Sequence, residues 1–321
     1  MNISIIFVNW NSVDYLRDCI ASIRNYTEGV SYEIIVVDNA SPAGDAAVIE
    51  REFSNIIFIK SEENLGFAGA NNLGFKHSLG RYVLFLNPDV KLTTPLINIL
   101  YKRATSMPKA GIFGAKLLNR DLTVQTSSIM QFPGILRELF QLEYLRLRWP
   151  DFWGIGPLFS ESTQPARAEV ISGACMLCSR ELFERVGMFS EDYFMYAEDI
   201  DLCYKVTKAG FTNYYVGEAV AIHYAGTSSP RVWQLVVKLR SMLKFCDKFY
   251  GRFYTNLFRI ALALNAVVRL SVIYAFSLLG KREALQTPIV KWTTMLRTLI
   301  KPSSYDSMIP VRKAVPSQVR A

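Results

Sequence analysis

The chain has 321 residues, of which 50% are hydrophobic, so it can bury a full α/β core and still carry an additional region. Its net charge of +8 is unevenly divided: after residue 229 there are 16 Lys and Arg against 3 Asp and Glu, whereas the first 229 residues hold 20 against 25. This division predicts an acidic catalytic body and a basic segment that seeks an anionic membrane surface, and the lack of a recognition motif argues against nucleic acid.

The cysteines and the N-terminus predict a cytoplasmic protein. Five cysteines are an odd number in a long chain, which is typical of reduced thiols. Cys175 and Cys178 form a single C-x-x-C inside an apolar run, so we expect buried thiols rather than zinc or redox chemistry. The N-terminal residues MNISIIFVNWNS lack a basic region and a cleavage site, which predicts a first strand rather than a signal peptide.

The first ninety residues alternate between apolar strands and helical stretches. In the first of these helices, Leu16, Cys19, Ile20 and Ile23 have the spacing of one buried face. Such alternation predicts a parallel, doubly wound sheet. The predicted strands cover residues 3–8, 33–37, 55–60 and 82–87, and the helices follow at 12–23, 44–53 and 66–79.

Each predicted strand is followed by a polar cluster. These clusters contain Asn9 and Asn11, Asp38 and Asn39, Asn64 with Asn71 and Asn72, and Asp89. Because the carboxyl ends of parallel strands meet at one edge of a sheet, the clusters predict the wall of a nucleotide pocket. The segment Asn87-Pro88-Asp89 is also, by itself, the composition of an ordinary turn.

The predicted pocket lacks the usual phosphate-binding loops. VNWNS follows the first strand where a dinucleotide-binding protein would have G-x-G-x-x-G, and there is no G-x-x-x-x-G-K-[ST]. A carboxylate repels phosphate but can hold a divalent cation that contacts it, and Mg²⁺ and Mn²⁺ prefer oxygen ligands. The sequence therefore predicts a Mg²⁺ or Mn²⁺ site with Asp89 as a ligand.

A second group of candidate residues lies between positions 169 and 211. Residues 169–179 are predicted to form a strand, in which Gly173 and Ala174 allow close backbone approach and are assigned to the acceptor site. Glu198, Asp199 and Asp201 fall at the start of a predicted helix. The helix dipole explains any one of them, but three carboxylates exceed that need, and their crowding raises a carboxyl pKa as suits a general base.

Two further segments allow alternative interpretations. His223 lies on an apolar strand before the polar loop 225–229, and is either a buried core residue or a second metal ligand. Residues 128–163, rich in aromatics, Pro and Arg, are either a lid or acceptor loop that contacts a membrane, or a plain helical insertion.

The C-terminal region has helical spacing with interspersed Lys and Arg. A packed helical hairpin is one interpretation, and association in the plane of a membrane is the preferred one. A spanning helix over 261–279 is disfavoured because the segment contains Asn265 and Arg269. We therefore predict a catalytic domain at 1–229, a basic amphipathic helical region at 230–302 and a flexible tail at 303–321.

The motifs taken together resemble the inverting family 2 glycosyltransferases of the GT-A fold, and within them the bacterial rhamnosyltransferase-like branch that builds cell-surface polysaccharide. The resemblance covers residues 4–229. It rests on SIIFVNWNS, EIIVVDNAS, NLGFAGANNLGF, YVLFLNPDV and SGACMLCSRELFERVGMFSEDYFMYAEDIDLCYKVTKAGF, followed by His223. It implies an α/β GT-A fold with a mainly parallel, doubly wound sheet and a C-terminal helical extension.

The resemblance also implies a reaction and a set of roles. A nucleotide-diphosphate sugar, with dTDP-rhamnose as the leading candidate, would donate one sugar with inversion to a lipid-linked or saccharide acceptor, assisted by a divalent cation. Asp199, with Glu198 beside it, matches the catalytic base. Asp89 occupies the last position of the Asp-x-Asp metal motif, where Asn87 replaces the first aspartate and His223 would help. The other donor-binding residues would be Val8, Asn9, Asp38, Asn64, Gly66 and Asn72, with Asn87 beside them.

The processive motif Gln-x-x-Arg-Trp is missing from the sequence, which favours transfer of a single sugar. Two rival functions remain. A sugar-phosphate nucleotidyltransferase would share the sheet, but would carry a glycine-rich phosphate loop after the first strand. A non-catalytic membrane-binding module would keep the sheet without binding metal or nucleotide. The expected location is the cytoplasm, peripheral to the inner face of the cell membrane.

Overall fold

A computed structural model describes residues 1–42, 44, 46–140, 143–160, 162–224, 230–277, 286–301 and 303. The predicted polar loop 225–229 and the predicted tail beyond residue 303 lie outside the described residues. The strands are β1 (Ile3–Asn9), β2 (Tyr32–Asp38), β3 (Ile56–Lys60), β4 (Tyr82–Leu86), β5 (Val90–Leu92), β6 (Ala110–Leu118), β7 (Ile129–Met130), β8 (Ala166–Ala168), β9 (Val170–Ile171), β10 (Cys175–Ser179) and β11 (Thr212–His223).

Helices pack on both sides of these strands. They are α1 (Val13–Tyr26), α2 (Ala47–Glu52), α3 (Gly66–Lys76), α4 (Leu96–Ser106), α5 (Ile135–Phe140), α6 (Glu143–Arg148), α7 (Arg180–Arg185), α8 (Glu198–Lys208), α9 (Arg231–Ser277) and α10 (Gln286–Ile300). Short 3₁₀ turns lie at Thr126–Ser128 and Gly156–Phe159. The predicted insertion at 128–163 therefore contains short helices, and the predicted α/β class is confirmed.

Within the described residues, nine strands form the main sheet, in the order β3-β2-β1-β4-β10-β6-β11-β5 with β8 paired to β11. The strands β3, β2, β1 and β4 are parallel, as predicted. The rest is mixed: β10 is antiparallel to both β4 and β6, and β11 is parallel to β6 but antiparallel to β5. The sheet is therefore mixed, and the predicted parallel arrangement holds for the four strands that end by Leu86 and for the β6–β11 pair.

The direction of β10 follows from how the chain enters it. Residues 169–179, predicted as one strand, are broken at 172–174 into β9, which pairs with β7 in a small separate sheet, and β10. The chain thus enters β10 from the edge where the parallel strands end, and Cys175 pairs with Leu86. The break places Gly173 and Ala174 at the site edge of the sheet instead of inside a strand.

Two apolar cores lie on opposite faces of the sheet, because successive strand side chains alternate. On β1, Ile6 joins one core with α3, α8 and α9, while Ile5 joins the other with α1 and α4. The predicted buried face of α1 is confirmed. Cys175 and Cys178 also point to different cores, which explains why this C-x-x-C holds two separate buried thiols.

The C-terminal helix α9 is bent at Gly251, whose φ of 82° and ψ of 167° are not helical. Its first half packs on the catalytic body, where Val236 and Phe245 are fully buried and the Ser241 hydroxyl donates to the Met195 carbonyl at 2.9 Å. In the described part of the chain, α9 is the one helix long and apolar enough to cross a membrane, and 17% of its most apolar window is buried. Length and composition alone are weak evidence for a span.

Candidate active site

A cavity of about 670 Å³ opens at the edge of the sheet where β1 and β4 end and β10 begins. Ten of the thirteen residues predicted for the site line it: Val8, Asn64, Gly66, Asn87, Asp89, Gly173, Ala174, Glu198, Asp199 and His223. The other three, Asn9, Asp38 and Asn72, do not line the cavity. The mixed sheet thus brings together side chains that are more than 200 residues apart in sequence.

Asn9 and Asp38 form a buried hydrogen-bonded layer beneath the cavity. The β1–β2 register pairs them directly, and the Asn9 amide donates to Asp38 Oδ1 at 3.0 Å. The Ser41 hydroxyl donates to the same oxygen at 2.5 Å, and Ser12 Oγ donates to Asn9 Oδ1. These contacts fix the ends of β1 and β2, and any bond from Asp38 to a nucleobase remains a prediction.

The loop before α3 is held by two asparagine side chains. Asn39 Nδ2 donates to Asn64 Oδ1 at 3.0 Å, and Asn39 Oδ1 accepts from the Leu65 amide at 2.8 Å. Gly66 has a φ of +68°, and a Cβ there would collide with the Phe194 carbonyl oxygen. Only glycine satisfies both conditions at this close approach, so Gly66 shapes the cavity through its backbone.

Asn72 is 2% exposed and has three hydrogen bonds inside the protein. Its amide donates to the Phe189 carbonyl and to Glu191, and its oxygen accepts from the Phe189 amide. The side chain therefore anchors the segment that leads to α8. In the described part of the chain, both polar atoms of the Asn72 side chain already have hydrogen-bond partners. The predicted contact of Asn72 with the sugar-nucleotide substrate stays a prediction.

Asp89 and His223 come together through the β5–β11 pairing, which sets His223 opposite Val90. His223 Nε2 lies 3.3 Å from Asp89 Oδ1 and 3.4 Å from the Asn87 amide nitrogen. On the other side of the ring, Nδ1 lies 2.7 Å from Gln125 Oε1. This geometry is compatible with the interpretation of His223 as a metal ligand, because Nε2 lies beside a carboxylate in the cavity wall, and that role stays a prediction.

Gln125 was missed by the sequence reasoning, since nothing in its local sequence marks it. It is 8% exposed, and its amide group in turn donates to Asn119 Oδ1 at 3.2 Å. In the tautomer with its proton on Nδ1, His223 would donate to Gln125 Oε1, and its Nε2 lone pair would be available to a cation held beside Asp89. Metal-binding histidines in proteins are commonly held in this way.

The residues at this point fit a divalent cation of the Mg²⁺ or Mn²⁺ kind. Asp89 supplies an oxygen, His223 an imidazole nitrogen, and the remaining positions would be open to water and phosphate oxygens. No group of three His, Cys, Asp or Glu side chains that could hold a metal occurs in the described part of the chain. A cation here would therefore depend on the diphosphate of a bound substrate for part of its coordination.

Asp199 is the second residue of α8 and lines the cavity beside Gly173. Its Oδ2 accepts from the Gly173 amide at 3.0 Å, and its Oδ1 accepts from the Ile200 amide at 2.8 Å. The two residues that precede α8, Tyr196 and Ala197, both have positive φ angles near 67°. Such left-handed backbone is costly for non-glycine residues, and its presence here sets the angle at which α8 presents Asp199 to the cavity.

Burial raises the pKa of Asp199, whereas the Gly173 and Ile200 amides and the charge of Lys238 lower it, and the net pKa is raised. Burial, and next the charge of Asp199, raises the pKa of Glu198 well above its usual range. Glu198 is 6% exposed and its Oε2 has no hydrogen-bond partner among the described residues. We therefore expect the proton of this pair to reside on Glu198, which leaves Asp199 ionised as a base.

Asp201 departs from the expectation that carboxylate crowding raises its pKa. Burial does raise it, but Lys205 and the hydrogen bonds from Lys248 and Ser190 outweigh burial, and the net pKa is lowered. The carboxylate is fully buried and lies 2.7 Å from Lys248 Nζ on α9. Asp201 therefore links α8 to α9 through this ion pair and does not line the cavity.

One wall of the cavity comes from α9, which the sequence reasoning placed outside the catalytic domain. Trp233, Gln234, Lys238 and Met242 line the cavity. Trp233 also contacts the Phe194 ring edge-on at 6.3 Å. Their helical spacing signals a common face, but the sequence does not reveal what that face covers.

The fold and the cavity define a class of protein. A cavity at the carboxyl edge of the parallel strands, with the Asp89–His223 and Glu198–Asp199 pairs in its wall, agrees with the GT-A glycosyltransferase fold that the sequence predicts. Over residues 4–187 the chain matches the family described as Glycosyl transferase family 2, and it belongs to that family. The predicted family is thereby confirmed, and the protein is a glycosyltransferase.

Two relatives support the rhamnosyltransferase-like type. An N-acetylglucosaminyl-diphospho-decaprenol L-rhamnosyltransferase of Mycobacterium tuberculosis is 29% identical over 241 residues, which cover 71% of this chain and 77% of that protein. Rhamnosyltransferase WbbL of Escherichia coli K12 is 28% identical over 236 residues, covering 69% and 83%. The chain is thus a family 2 glycosyltransferase of rhamnosyltransferase-like type, as predicted.

A solved structure supports the fold. The mannosyltransferase PcManGT from Pyrobaculum calidifontis, in complex with GDP-Man and Mn²⁺, superposes with a TM-score of 0.59 at 15% identity. The match covers 95% of this chain and 88% of that one. At this identity the likeness establishes the GT-A fold, including the C-terminal part of the chain.

Proposed function

We propose that the protein transfers a single sugar, with inversion, from a nucleoside-diphosphate sugar to a lipid-linked or saccharide acceptor in the synthesis of cell-surface polysaccharide. The observation that carries the proposal is that Asp199 and the Asp89–His223 pair line one cavity. A rhamnosyl donor such as dTDP-rhamnose is supported by the names of the two relatives, and a lipid-diphosphate acceptor by the name of the mycobacterial one.

Asp199 would accept the proton of the acceptor hydroxyl, which then attacks the anomeric carbon from the face opposite the leaving diphosphate. The C–O bond to the acceptor forms as the C–O bond to the diphosphate breaks, so the configuration inverts in one displacement. Gly173 orients the base through its amide, and the neutral Glu198 beside it keeps a second negative charge out of the acceptor site.

Asp89 and His223 would hold a Mg²⁺ or Mn²⁺ ion, and Asn87 would lie beside it. When bound, such a cation supplies positive charge that stabilises the departing diphosphate. Gln125 keeps the ring of His223 in the tautomer that can bind, and the Asn39–Asn64 contact holds the loop at Gly66 against the donor side of the cavity.

We further propose that the protein works in the cytoplasm at the inner face of the membrane. Support comes from its exposed apolar side chains on α5, α6 and α9, which include Phe140, Tyr144 and Phe253. The net positive charge after residue 229 would favour an anionic surface, since each basic residue near such a surface contributes about 1 kcal/mol.

The proposal is tested by thermal unfolding of the full chain with UDP, dTDP and GDP and with their sugar derivatives, each with and without Mn²⁺. A shift that requires Mn²⁺ and is confined to one base would support the cavity as the donor site and name the donor class. No shift with any nucleotide would contradict the transferase cavity. A non-catalytic membrane module predicts this second result.

The nucleotidyltransferase alternative is tested with a nucleoside triphosphate and a sugar phosphate. That reaction would release pyrophosphate, whereas sugar transfer releases a nucleoside diphosphate only when an acceptor is present. The cavity favours transfer, because Asp199 at the acceptor side has no role in an attack by a sugar phosphate, which is already ionised.

A further inference from the structure

A second cavity, of about 360 Å³, lies at the bend of α9 and shares no lining residue with the active-site cavity. Both segments of the bent helix contribute to it. Its lining residues are Leu243, Lys244, Asp247, Arg252, Thr255, Asn256 and Arg259. We call it the bend cavity.

The bend cavity is positively charged. Lys244, Arg252 and Arg259 face a single carboxylate, Asp247, which leaves a net charge of two positive. Lys244 Nζ donates to the Asp192 carbonyl at 2.6 Å, which satisfies one of its three N–H groups. The buried Nε–H of Arg259 has no hydrogen-bond partner among the described residues, so the fold itself does not account for this donor.

The bend that forms the cavity depends on Gly251. Its φ of 82° and ψ of 167° belong to a region that is essentially restricted to glycine. The second segment of α9 begins directly after it, so the positive end of that segment's dipole lies at the cavity. The helix start and the three basic side chains therefore favour the same kind of ligand, an anion.

An exposed apolar stripe runs along the second segment away from the cavity. Phe253, Leu257, Ile260, Leu264 and Val268 recur every three or four residues, and each is at least 40% exposed. Each of the first three follows a polar cavity residue by one position, so the stripe and the basic edge are neighbouring faces of the helix. This is the pattern of a helix lying in a membrane interface.

The opposite face of the same segment packs on the protein. Thr255, Phe258, Leu262 and Ala266 are buried, and the Asn265 amide donates to the Glu138 carbonyl at 2.9 Å. A spanning helix without neighbours would expose this face to lipid, whereas a helix lying in the interface keeps one face on the protein and the other in the bilayer.

We propose that the bend cavity binds the phosphate group of an anionic phospholipid whose acyl chains lie along the stripe. Guanidinium groups suit phosphate because their planar N–H forks match its oxygens. The stripe selects a lipid over a free phosphate, since a soluble anion would leave these apolar side chains in water. This inference rests on the proposed membrane association and adds the site at which a lipid is held.

The test is co-sedimentation of the full chain with vesicles of phosphatidylcholine, with and without phosphatidylglycerol. The variant Arg252→Gln/Arg259→Gln is compared with Lys102→Gln/Lys109→Gln, which removes the same charge from exposed positions near α4, on the other face of the sheet. We expect the arginine variant to bind phosphatidylglycerol vesicles roughly 30-fold more weakly, and the lysine variant to bind within about twofold of the unmodified protein.

If the arginine and lysine variants lose vesicle binding equally, the loss comes from overall charge rather than from a specific site, and the proposal is overturned. If the double arginine variant does not fold, Arg252→Gln alone, at an exposed position, is expected to weaken binding by roughly fivefold. Unchanged binding of that folded variant would also overturn the proposal. The metal- and nucleotide-dependent thermal shift of the same variants reports on the transferase cavity, so failure of the lipid site and failure of the proposed function give different results.

Two further measurements separate the sources of the anion and the occupants of the stripe. Inorganic phosphate could stabilise the unmodified protein but not the arginine variant, while the two proteins bind vesicles equally. In that case the ligand is a free phosphate and the lipid proposal fails. The variant Phe253→Ser/Ile260→Ser is expected to lose vesicle binding as a monomer. If it instead converts a dimer to a monomer and keeps vesicle binding, the stripe is an interface between two copies.

Discussion

Replacing Asp199 by Asn removes the proposed base while changing the shape of the cavity little. The asparagine oxygen can accept the Gly173 amide in place of Oδ2, which leaves the new NH₂ group facing the Ile200 amide. One hydrogen bond is lost, which costs about 1 kcal/mol of stability. Loss of a general base lowers turnover by roughly 10²- to 10⁴-fold, which corresponds to about 3–5 kcal/mol of transition-state stabilisation.

The assay follows release of the nucleoside diphosphate in the presence of acceptor, at several donor concentrations. We expect kcat to fall and the thermal shift with donor to remain, because the substitution does not touch the donor side of the cavity. The control is Asp192→Asn, an exposed carboxylate a few residues upstream, which should keep its turnover. Near-normal turnover of Asp199→Asn would refute the reasoning, because an enzyme that has lost its general base should lose orders of magnitude in turnover.

The same assignment predicts the acid limb of the pH–rate profile. Burial raises the pKa of Asp199, so the carboxylate becomes protonated, and the base is lost, at a higher pH than for an exposed aspartate. Turnover is therefore expected to fall as the pH decreases through this raised pKa and to be constant above it. An acid limb at the ordinary pKa of aspartate would indicate that the base lies elsewhere.

Three other substitutions test contacts that support the site. Gln125→Leu frees the ring of His223, and is expected to weaken Mn²⁺-dependent stabilisation by nucleotide roughly 10- to 100-fold in metal concentration; an unchanged Mn²⁺ titration would contradict the role of His223. Gly66→Ala places a Cβ at a φ of +68° and in collision with the backbone, whereas Gly29→Ala places one at a φ of +69° in open space. Urea unfolding should show Gly66→Ala to be less stable than Gly29→Ala by about 2 kcal/mol or more. Equal losses in the two variants would show that the loop relaxes. Asp201→Asn breaks a buried ion pair and should cost about 3–5 kcal/mol at pH 7. Since the folded-state pKa of Asp201 is lowered, this difference is expected to decrease as the pH falls below the ordinary pKa of aspartate, and a constant difference would contradict the pairing.

Local signals in the sequence were sufficient for the first four parallel strands. Alternating apolar runs and helical spacing depend on neighbours within about ten residues, and they located β1, β2, β3 and β4 together with the buried face of α1. The polar residues after these strands were also correctly placed at one edge, because the carboxyl ends of parallel strands must meet there. Of the ten predicted site residues that line the cavity, five lie at the ends of these strands: Val8, Asn64, Gly66, Asn87 and Asp89.

Local signals could not give the direction of β10 or the partners of the site side chains. The sequence from 169 to 179 is mostly apolar and resembles a single strand, and only the packing of β9 on β7 shows that it breaks at 172–174. Asn72 has the same composition signal as Asn64, but tertiary contacts with Phe189 and Glu191 bury it. Asp201 looks like Asp199 in sequence, yet Lys248 from α9 lowers its pKa and turns it into an anchor.

The sequence by itself determined the family, the α/β class and the residue types at the sheet edge, because motif spacing and periodicity are properties of short segments. The tertiary structure decided which of these side chains share a cavity, that Gln125 contacts the Nδ1 atom of His223, and that α9 forms one wall with Lys238. The physical reason is that hydrogen bonds and burial join residues that are distant in sequence. Such pairs leave no mark in either segment until the chain has folded.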